Sequence, residues 1–195
     1  MRQFPAQHPN SVVLILGCGL DTRAYRINPP PSVHWINLDF PEVIELRRKL
    51  FSDHGSYQMV GGSLAGTAWL EVIPRDGPLR TIGDGAFEYP SEEQVRRLLR
   101  RLTDRFDWSE IVFGTRNSHA VAVGSAKLGD RSSTRLRRPA GDLGAVDALN
   151  LRLKRTATGA LLGSRCAPWT HRLVYWMVPL RPELLDSVRI LRYEF

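Results

Sequence analysis

The fold is decided by the stretch SVVLILGCGLDTRAYRINPPPSVHWINLD, residues 11–39. Residues 11–16 are an apolar run that stops at Gly17, which is the pattern of a strand buried on both faces of a parallel sheet. Residues 33–38 repeat this pattern after a turn of consecutive prolines. The stretch therefore predicts a strand, a glycine-rich loop, a helix and a second strand.

Strand and helix patterns continue to alternate as far as residue 113. Pro41 suits the first turn of a helix, where its missing N–H has no partner to lose. Ser91 and Gln94 form the capping-box pattern that opens the clearest helix of the chain. This alternation predicts an open α/β sheet with right-handed crossovers. Its further strands are expected at residues 57–60, 79–82, 110–113, 155–162 and 187–195.

Residues 124–147 differ from the rest because they are rich in Gly, Arg, Ser and Asp and contain a proline. Such a composition is typical of a surface loop or a poorly ordered segment. We therefore predict one domain over residues 1–195, with residues 124–147 as an irregular loop insertion. A chain of 195 residues is long enough to bury a core of its own.

The net charge of +7 is carried mainly by arginine, with clusters at residues 96–105 and 131–138. A basic surface is one feature of proteins that bind nucleic acid. The other interpretation is a solvated helix face followed by an arginine-rich loop. No zinc-finger spacing and no RNA-binding aromatic motif accompany the charge, so the second interpretation is favoured.

The location is expected to be cytoplasmic. Cys18 and Cys166 are the only cysteines, and neither has metal-ligand spacing around it, which predicts free thiols, a reducing compartment and no metal site. No apolar run reaches the length of a transmembrane helix, and the first ten residues lack the apolar segment of a signal peptide. No membrane partner is expected.

The glycine-rich loop is Gly17-Cys18-Gly19-Leu20-Asp21-Thr22-Arg23. Glycines directly after a strand allow a sharp turn and let a ligand approach the backbone, and the next helix N-terminus would offer N–H groups to it. A tight strand–helix turn without a ligand is the alternative. Thr22 occupies the position at which dinucleotide-binding loops carry a third glycine, so a nucleoside cofactor without a phosphate, such as S-adenosylmethionine, is favoured.

Asp39 ends the second strand, twenty positions after Gly19. In Rossmann-like folds a carboxylate at this place accepts hydrogen bonds from ribose hydroxyls. It is also a good N-cap for the helix that begins near Pro41. The two roles are compatible, and the loop and the acid together predict a cofactor site.

Four stretches carry a family resemblance: VVLILGCGLDTRAYRI (12–27), VHWINLDFPEVIELRRKLF (33–51), GSLAGTAWLEVIP (62–74) and DGAFEYPSEEQVRRLLRRLTDRF (84–106). They resemble the leucine carboxyl methyltransferase superfamily, and within it the bacterial polyketide O-methyltransferases of the tetracenomycin type. The motif Gly-Cys-Gly-Leu-Asp-Thr-Arg is quite specific to this group. The resemblance implies a class I methyltransferase sheet, mostly parallel with a late antiparallel strand.

The resemblance also implies S-adenosylmethionine as the cofactor and a set of residues around it. The glycine-rich loop would surround the methionine part, Asp39 would hold the ribose, and Ser63 and Leu64 would lie along the adenine. The Glu-Gly pair that is usual after the fourth strand is Asp84-Gly85 here, followed by the matching aromatic Tyr89. The expected cofactor-binding residues are Gly17, Cys18, Gly19, Arg23, Asp39, Phe40, Ser63, Leu64, Asp84 and Gly85.

The chain departs from the family pattern at three places. Only ten residues precede the first strand, where relatives have helices that form a lid. Gly114 replaces the Asp that usually follows the fifth strand, and Tyr89-Pro90 replaces Tyr-Leu. These departures predict a shortened member of the family, and they leave open a non-catalytic protein that only binds the cofactor.

The resemblance implies transfer of a methyl group to a hydroxyl or carboxyl of a small, polyketide-like molecule. A phenol or alcohol acceptor needs a base, whereas a carboxylate is already ionised at neutral pH. His119, after the fifth strand, is the candidate base, and His171 is a weaker one. Arg116 would pair with an acceptor carboxylate or be a solvated loop arginine. A lone histidine or arginine at such a place is more often structural.

Overall fold

A computed structural model of the protein describes residues 3–52, 55–75, 77–116, 143–160 and 188–195. The described strands form one sheet of seven. They are β1 (Val12–Leu16), β2 (His34–Asp39), β3 (Tyr57–Gly61), β4 (Leu79–Gly83), β5 (Ser109–Arg116), β6 (Lys154–Ala160) and β7 (Val188–Glu194). Their order across the sheet is β3-β2-β1-β4-β5-β7-β6.

The sheet is mostly parallel, as predicted. Strands β1 to β5 all pair in parallel, whereas β7 pairs antiparallel with both β5 and β6. Strand β6 therefore runs in the same direction as the first five, and β7 is the late antiparallel strand. Residues 161–162, which the sequence places at the end of β6, lie outside the described residues.

Strand β1 lies at the centre of the sheet because its side chains are apolar on both faces. All five of its residues are buried. In the register, Leu14 stands between Ile36 of β2 and Thr81 of β4. The side chains of β1 alternate between two clusters of the core, with Leu14 in one and Ile15 in the other. A polar side chain at any position of β1 would therefore be buried in one of these two clusters.

The described helices cover both faces of the sheet. Helix α4 packs four apolar side chains, Val95, Leu98, Leu99 and Leu102, against one face, and the capping box at Ser91 is present as predicted. Ile44 of α3 and Phe4 of α1 pack against the other face. The helices are α1 (Gln3–Gln7), α2 (Arg23–Ile27), α3 (Pro41–Leu50), α4 (Glu92–Arg105) and α5 (Leu143–Asp147), with a 3₁₀ helix at Ala68–Val72.

One expectation from the sequence needs correction. The predicted irregular segment 124–147 ends in helix α5, because Val146 supplies an apolar side chain that the core buries; residues 124–142 lie outside the described part. In helix α3, Leu46 and Leu50 are exposed and Arg47 is fully buried. The apolar face of α3 is therefore not the one that its leucines indicate.

The strand order reverses between β1 and β4. From β1 the chain proceeds outward through β2 to β3, then returns to place β4 on the other side of β1. Loops that leave the carboxyl ends of such strands diverge and open a crevice, which is where open α/β sheets bind ligands. Among the helices that the structure describes, none has the length and apolar character needed to cross a membrane.

Candidate cofactor cleft

A cleft of about 600 Å³ opens at this crevice. Its walls come from the loops that follow β1, β2, β3 and β4, so four separate parts of the chain meet there. The volume lies in the range of ligand sites for small molecules. The lining residues are Gly17, Asp39, Phe40, Gly62, Ser63, Leu64, Ala65, Asp84, Gly85, Ala86, Tyr89, Pro90 and Gln94. Seven of the ten predicted cofactor-binding residues are among them.

A smaller recess of about 350 Å³ adjoins the cleft. Gly17 and Asp84 line both, and Cys18 and Arg23 line the recess. Gly19 is the one predicted residue that lines neither cavity, although its N–H bonds to a cleft residue, Asp39. The predicted residues are thus brought together by the fold.

The glycine loop, residues 17–23, turns sharply after β1. Gly17 and Gly19 both have positive φ angles, of 60° and 47°. A Cβ at Gly17 would also lie 3.1 Å from the Cβ of Ala86, whereas a Cβ at Gly19 would meet nothing within 4 Å. Glycine is therefore favoured at position 17 both by the positive φ angle and by the closeness of Ala86, and at position 19 by the φ angle alone.

Asp39 is bonded to the glycine loop. Its Oδ2 accepts a 2.7 Å hydrogen bond from the N–H of Gly19, and its Oδ1 accepts one of 2.8 Å from the N–H of Phe40. Phe40, not Asp39, is the N-cap residue of α3, so the alternative role of Asp39 as a helix cap is wrong. An ionised carboxylate has about four acceptor positions, and two are used here. The others are available to a ligand in the cleft.

Several N–H groups of the glycine loop already have partners within the protein. The N–H of Cys18 donates to the carbonyl of Leu38, and that of Asp21 to the carbonyl of Cys18. At the start of α2, the N–H of Arg23 donates to Oδ1 of Asp21 at 2.7 Å. The first N–H donor of α2, a helix of five residues, is therefore occupied by Asp21 and is not offered to a ligand.

Arg23 joins the glycine loop to the loop after β4. Its guanidinium pairs with Asp21 at 3.2 Å, from Nε to Oδ2, and its other end pairs with Oδ2 of Asp84. Asp84 is mostly exposed and lies where the cleft and the recess meet. Gly85, the next residue, has a φ of 78°, so the Asp-Gly pair forms a turn that suits glycine at its second position.

Cys18 is buried and holds no disulfide. Burial raises the pKa of its thiol to about 12, although the nearby positive charge of Arg47 opposes the shift. A thiol with such a pKa is protonated at neutral pH and is a poor nucleophile. Cys18 is therefore a small residue that fills a tight turn, and not a reactive one.

The β3 loop, residues 62–66, forms the other wall of the cleft. Trp69 is buried in the core, and its indole N–H donates to the carbonyl of Ser63 at 3.0 Å. Arg101 of α4 donates to the carbonyls of Ala65 and Gly66 at 3.0 and 2.9 Å. These contacts place Leu64 and Ser63 along the cleft.

The end of β5 carries an ion pair next to the cleft. Nε of Arg116 lies 2.7 Å from Oε1 of Glu88, whose side chain is buried. Arg116 is therefore not a fully solvated arginine. Tyr89, the neighbour of Glu88, lines the cleft and is half exposed. The histidines predicted as bases, His119 and His171, lie outside the described residues.

Arg47 is the residue that the sequence did not reveal. It lies on α3 beside Arg48 and Lys49, so it looks like part of an exposed basic cluster. In the structure its side chain is buried beneath the glycine loop, and its guanidinium donates to the carbonyls of Gly19 and Asp21. The available signal was its helical spacing, three residues after the buried Ile44.

The same part of the chain that builds the glycine loop and the β3 loop matches a known family. Residues 5–76 match the model of the leucine carboxyl methyltransferase family. This part of the chain is related to that family. The resemblance seen in the sequence is therefore confirmed.

Two curated relatives extend the match. The tetracenomycin polyketide synthesis O-methyltransferase TcmP of Streptomyces glaucescens is 42% identical over 104 residues, which cover 51% of this chain and 38% of the relative. A protein of Gibberella zeae named as an S-adenosyl-L-methionine-dependent methyltransferase is 31% identical over 112 residues, 53% of this chain and 38% of the relative. The chain matches well under half the length of either relative.

Solved structures share the fold. An S-adenosylmethionine-dependent methyltransferase from Mesorhizobium loti superposes with a TM-score of 0.61 at 15% identity, over 94% of this chain and 90% of that chain. The mitomycin 7-O-methyltransferase MmcR superposes with a TM-score of 0.60 at 14% identity, over 95% of this chain and 49% of the other. At these identities the likeness concerns the fold, and it confirms the predicted class I methyltransferase sheet.

Proposed function

We propose that this protein binds S-adenosylmethionine in the cleft and transfers its methyl group to a hydroxyl or carboxyl of a small, polyketide-like molecule. One observation carries the proposal. The Asp39 carboxylate is bonded to the glycine loop and lines the same cleft as Ser63, Leu64 and Asp84. The names of the relatives, which specify S-adenosylmethionine and polyketide O-methylation, support it.

The donors around the cleft fit this cofactor better than a dinucleotide. A pyrophosphate needs free backbone N–H groups at the glycine loop, and those of Cys18, Gly19, Asp21 and Arg23 are bonded within the protein. A cofactor without phosphates makes no such demand. The unused acceptor positions of Asp39 suit the two hydroxyls of a ribose.

Each wall of the cleft has a part in holding the cofactor. Asp39 would accept hydrogen bonds from the ribose, and the exposed ring of Phe40 would lie with Leu64 along the adenine. The methionine part would lie towards Arg23 and the glycine loop. The sulfonium of the cofactor supplies an activated methyl group, so the protein's main task is to align an acceptor with it.

The acceptor is proposed to lie near the ends of β4 and β5. Tyr89 lines the cleft there, and the adjacent Glu88–Arg116 pair provides a fixed polar group. The remaining guanidinium nitrogens of Arg116 would bind an acceptor carboxylate, which needs no base. A hydroxyl acceptor would need one, and His119 remains the proposed candidate.

The arginines of α4 favour an enzyme over a nucleic-acid-binding module. Arg96 pairs with Glu92 at 3.0 Å and also donates to the carbonyl of Ala148. Arg101 binds the β3 loop, and Arg105 pairs with Glu71 at 3.5 Å. These side chains are used within the fold. We propose that the partner is a small molecule and that the protein acts in the cytoplasm.

The experiment is calorimetry with S-adenosylmethionine and S-adenosylhomocysteine, followed by a methyl-transfer screen over phenols and small carboxylic acids. Binding of both ligands with transfer to one acceptor class is the expected result. Binding without transfer to any acceptor would favour a protein that binds the cofactor without catalysis. Absence of heat and of any thermal shift with either ligand would overturn the proposal, and binding of an oligonucleotide instead would favour a nucleic-acid-binding module.

A further inference from the structure

Arg47 is a fully buried arginine that holds the glycine loop from beneath. Its Nη1 donates to the carbonyl of Gly19 at 2.8 Å. Its Nη2 donates to the carbonyl of Asp21 at 2.6 Å and to the hydroxyl of Tyr57 at 2.9 Å. The guanidinium also lies over the ring of Phe51, 4.8 Å from its centre. Helix α3 is thereby joined to the loop and to β3.

The charge of this arginine is not neutralised by a direct ion pair. Within the part of the chain that the structure describes, no carboxylate lies within 4.0 Å of its guanidinium nitrogens, and its Nε has no hydrogen-bond partner. Burying a charge without a counter-ion is costly. An apolar residue at position 47 would avoid this cost, so the reason for an arginine must lie in the groups that it binds.

The carbonyls that it binds explain the choice. The carbonyl oxygens of Gly19 and Asp21 face Arg47 in partly buried surroundings, where a carbonyl without a partner is unfavourable. In the same loop, Gly19 has a left-handed conformation, and its N–H donates to Asp39. Arg47 therefore holds the carbonyl side of the glycine loop, while other residues of this loop line the cleft and the recess. Its side chain lines neither the cleft nor the recess.

We propose that Arg47 is a positioning residue for the methionine part of the cofactor. It holds the glycine loop in the shape that the methionine part requires, and it has little effect on the adenosine part, which lies along Asp39, Phe40 and the β3 loop. This inference rests on the proposed function, because it needs S-adenosylmethionine as the ligand. It differs from a purely structural role, which would weaken the binding of both parts equally.

The test compares two ligands and three variants. Dissociation constants for S-adenosylhomocysteine and for adenosine are measured by NMR titration of the wild type, Arg47→Met, Arg47→Lys and Arg48→Met. Arg48 is the matched control, because it lies on the same helix and donates to the carbonyl of Met59. Arg47→Met removes every donor, whereas Arg47→Lys keeps the charge but replaces the planar fork with a single ammonium.

Arg47→Met is expected to weaken the binding of S-adenosylhomocysteine by about tenfold or more and the binding of adenosine by less than about threefold. Arg47→Lys should lie between Arg47→Met and the wild type, and it serves the same comparison if Arg47→Met does not fold. Arg48→Met should bind both ligands as the wild type does. An equal loss for both ligands, or no loss for either, would overturn the inference. Failure of the wild type to bind either ligand would instead overturn the proposed function.

Discussion

The glycine loop and the β3 loop line the same cleft, and an arginine from a helix holds each of them. Arg47 holds the glycine loop from within the core, where its guanidinium is fully buried. Arg101 holds the β3 loop from the surface of α4, through the carbonyls of Ala65 and Gly66. The two sides of the cleft are thus held by the same kind of bond, which is partly buried at the glycine loop and exposed at the β3 loop.

The surroundings decide how firmly each loop is held. The bonds from Arg47 to the glycine loop are partly buried, so water replaces a lost donor there less easily and a change in the shape of the loop is costly. At the surface, water takes the place of a lost donor at small cost. The glycine loop is therefore expected to be the rigid wall and the β3 loop the adaptable one. Four predictions test this contrast.

The largest effect is expected at Cys18. Because the pKa of its thiol is about 12, about one molecule in ten thousand carries the thiolate at pH 8. In a Cys166→Ser background, alkylation by iodoacetamide at that pH should be roughly a thousandfold slower than in urea-unfolded protein. The rate in the folded protein should keep rising with pH towards 12, whereas the rate of the unfolded chain should level off soon above its thiol pKa. Equal rates at pH 8 would show that the glycine loop is open to solvent.

The next largest effect is expected at Asp39, which accepts hydrogen bonds from the glycine loop and from the β3 loop and would also bind the cofactor. Asp39→Ala removes the acceptor of the Gly19 N–H and of the proposed ribose hydroxyls. S-adenosylhomocysteine should bind more weakly by about 1–3 kcal/mol, measured by calorimetry. Asp84→Asn is the comparison, because Asp84 also lines the cleft but is mostly exposed, and it should cost clearly less. An Asp39→Ala protein with unchanged affinity would exclude Asp39 from the site.

Gly17 and Gly19 form a matched pair within the rigid loop. Both have positive φ, so replacement by alanine should cost each of them about 1–2 kcal/mol of unfolding free energy. At Gly17 the new methyl also meets Ala86 at 3.1 Å, while at Gly19 it meets nothing. Urea unfolding should therefore find Gly17→Ala less stable than Gly19→Ala by about 1 kcal/mol. The reverse order would mean that Ala86 moves aside freely.

The features that were predicted from the sequence are those determined by residues close together in the chain. The buried strand β1, the turn glycines, Asp39 at the end of β2 and the capping box at Ser91 all follow from patterns within a few positions of one another. The alternation of strands and helices likewise predicted an open α/β sheet, because connections in such sheets obey regular rules.

The features that were not predicted from the sequence are those determined by contacts between residues far apart in the chain. Arg47 is buried because its acceptors come from residues 19, 21 and 57, and the only nearby signal in the sequence is its helical spacing from Ile44. Arg116 is paired because the fold places it beside the buried Glu88. Each of these depends on contacts between segments.

The smallest effect is expected at Arg101, and it is the sharpest test of the contrast between the loops. Arg101→Met removes two hydrogen bonds to the β3 loop, yet the freed carbonyls can bond to water. The free energy of unfolding should fall by about 0.5–1 kcal/mol and the affinity for S-adenosylhomocysteine by about threefold at most. Arg97→Met is the control, because Arg97 lies on the same helix and pairs only loosely, at 3.6 Å, with Glu93. If Arg101→Met weakened binding as much as Arg47→Met, the β3 loop would be as dependent on its arginine as the glycine loop, and burial would not be what distinguishes the two walls.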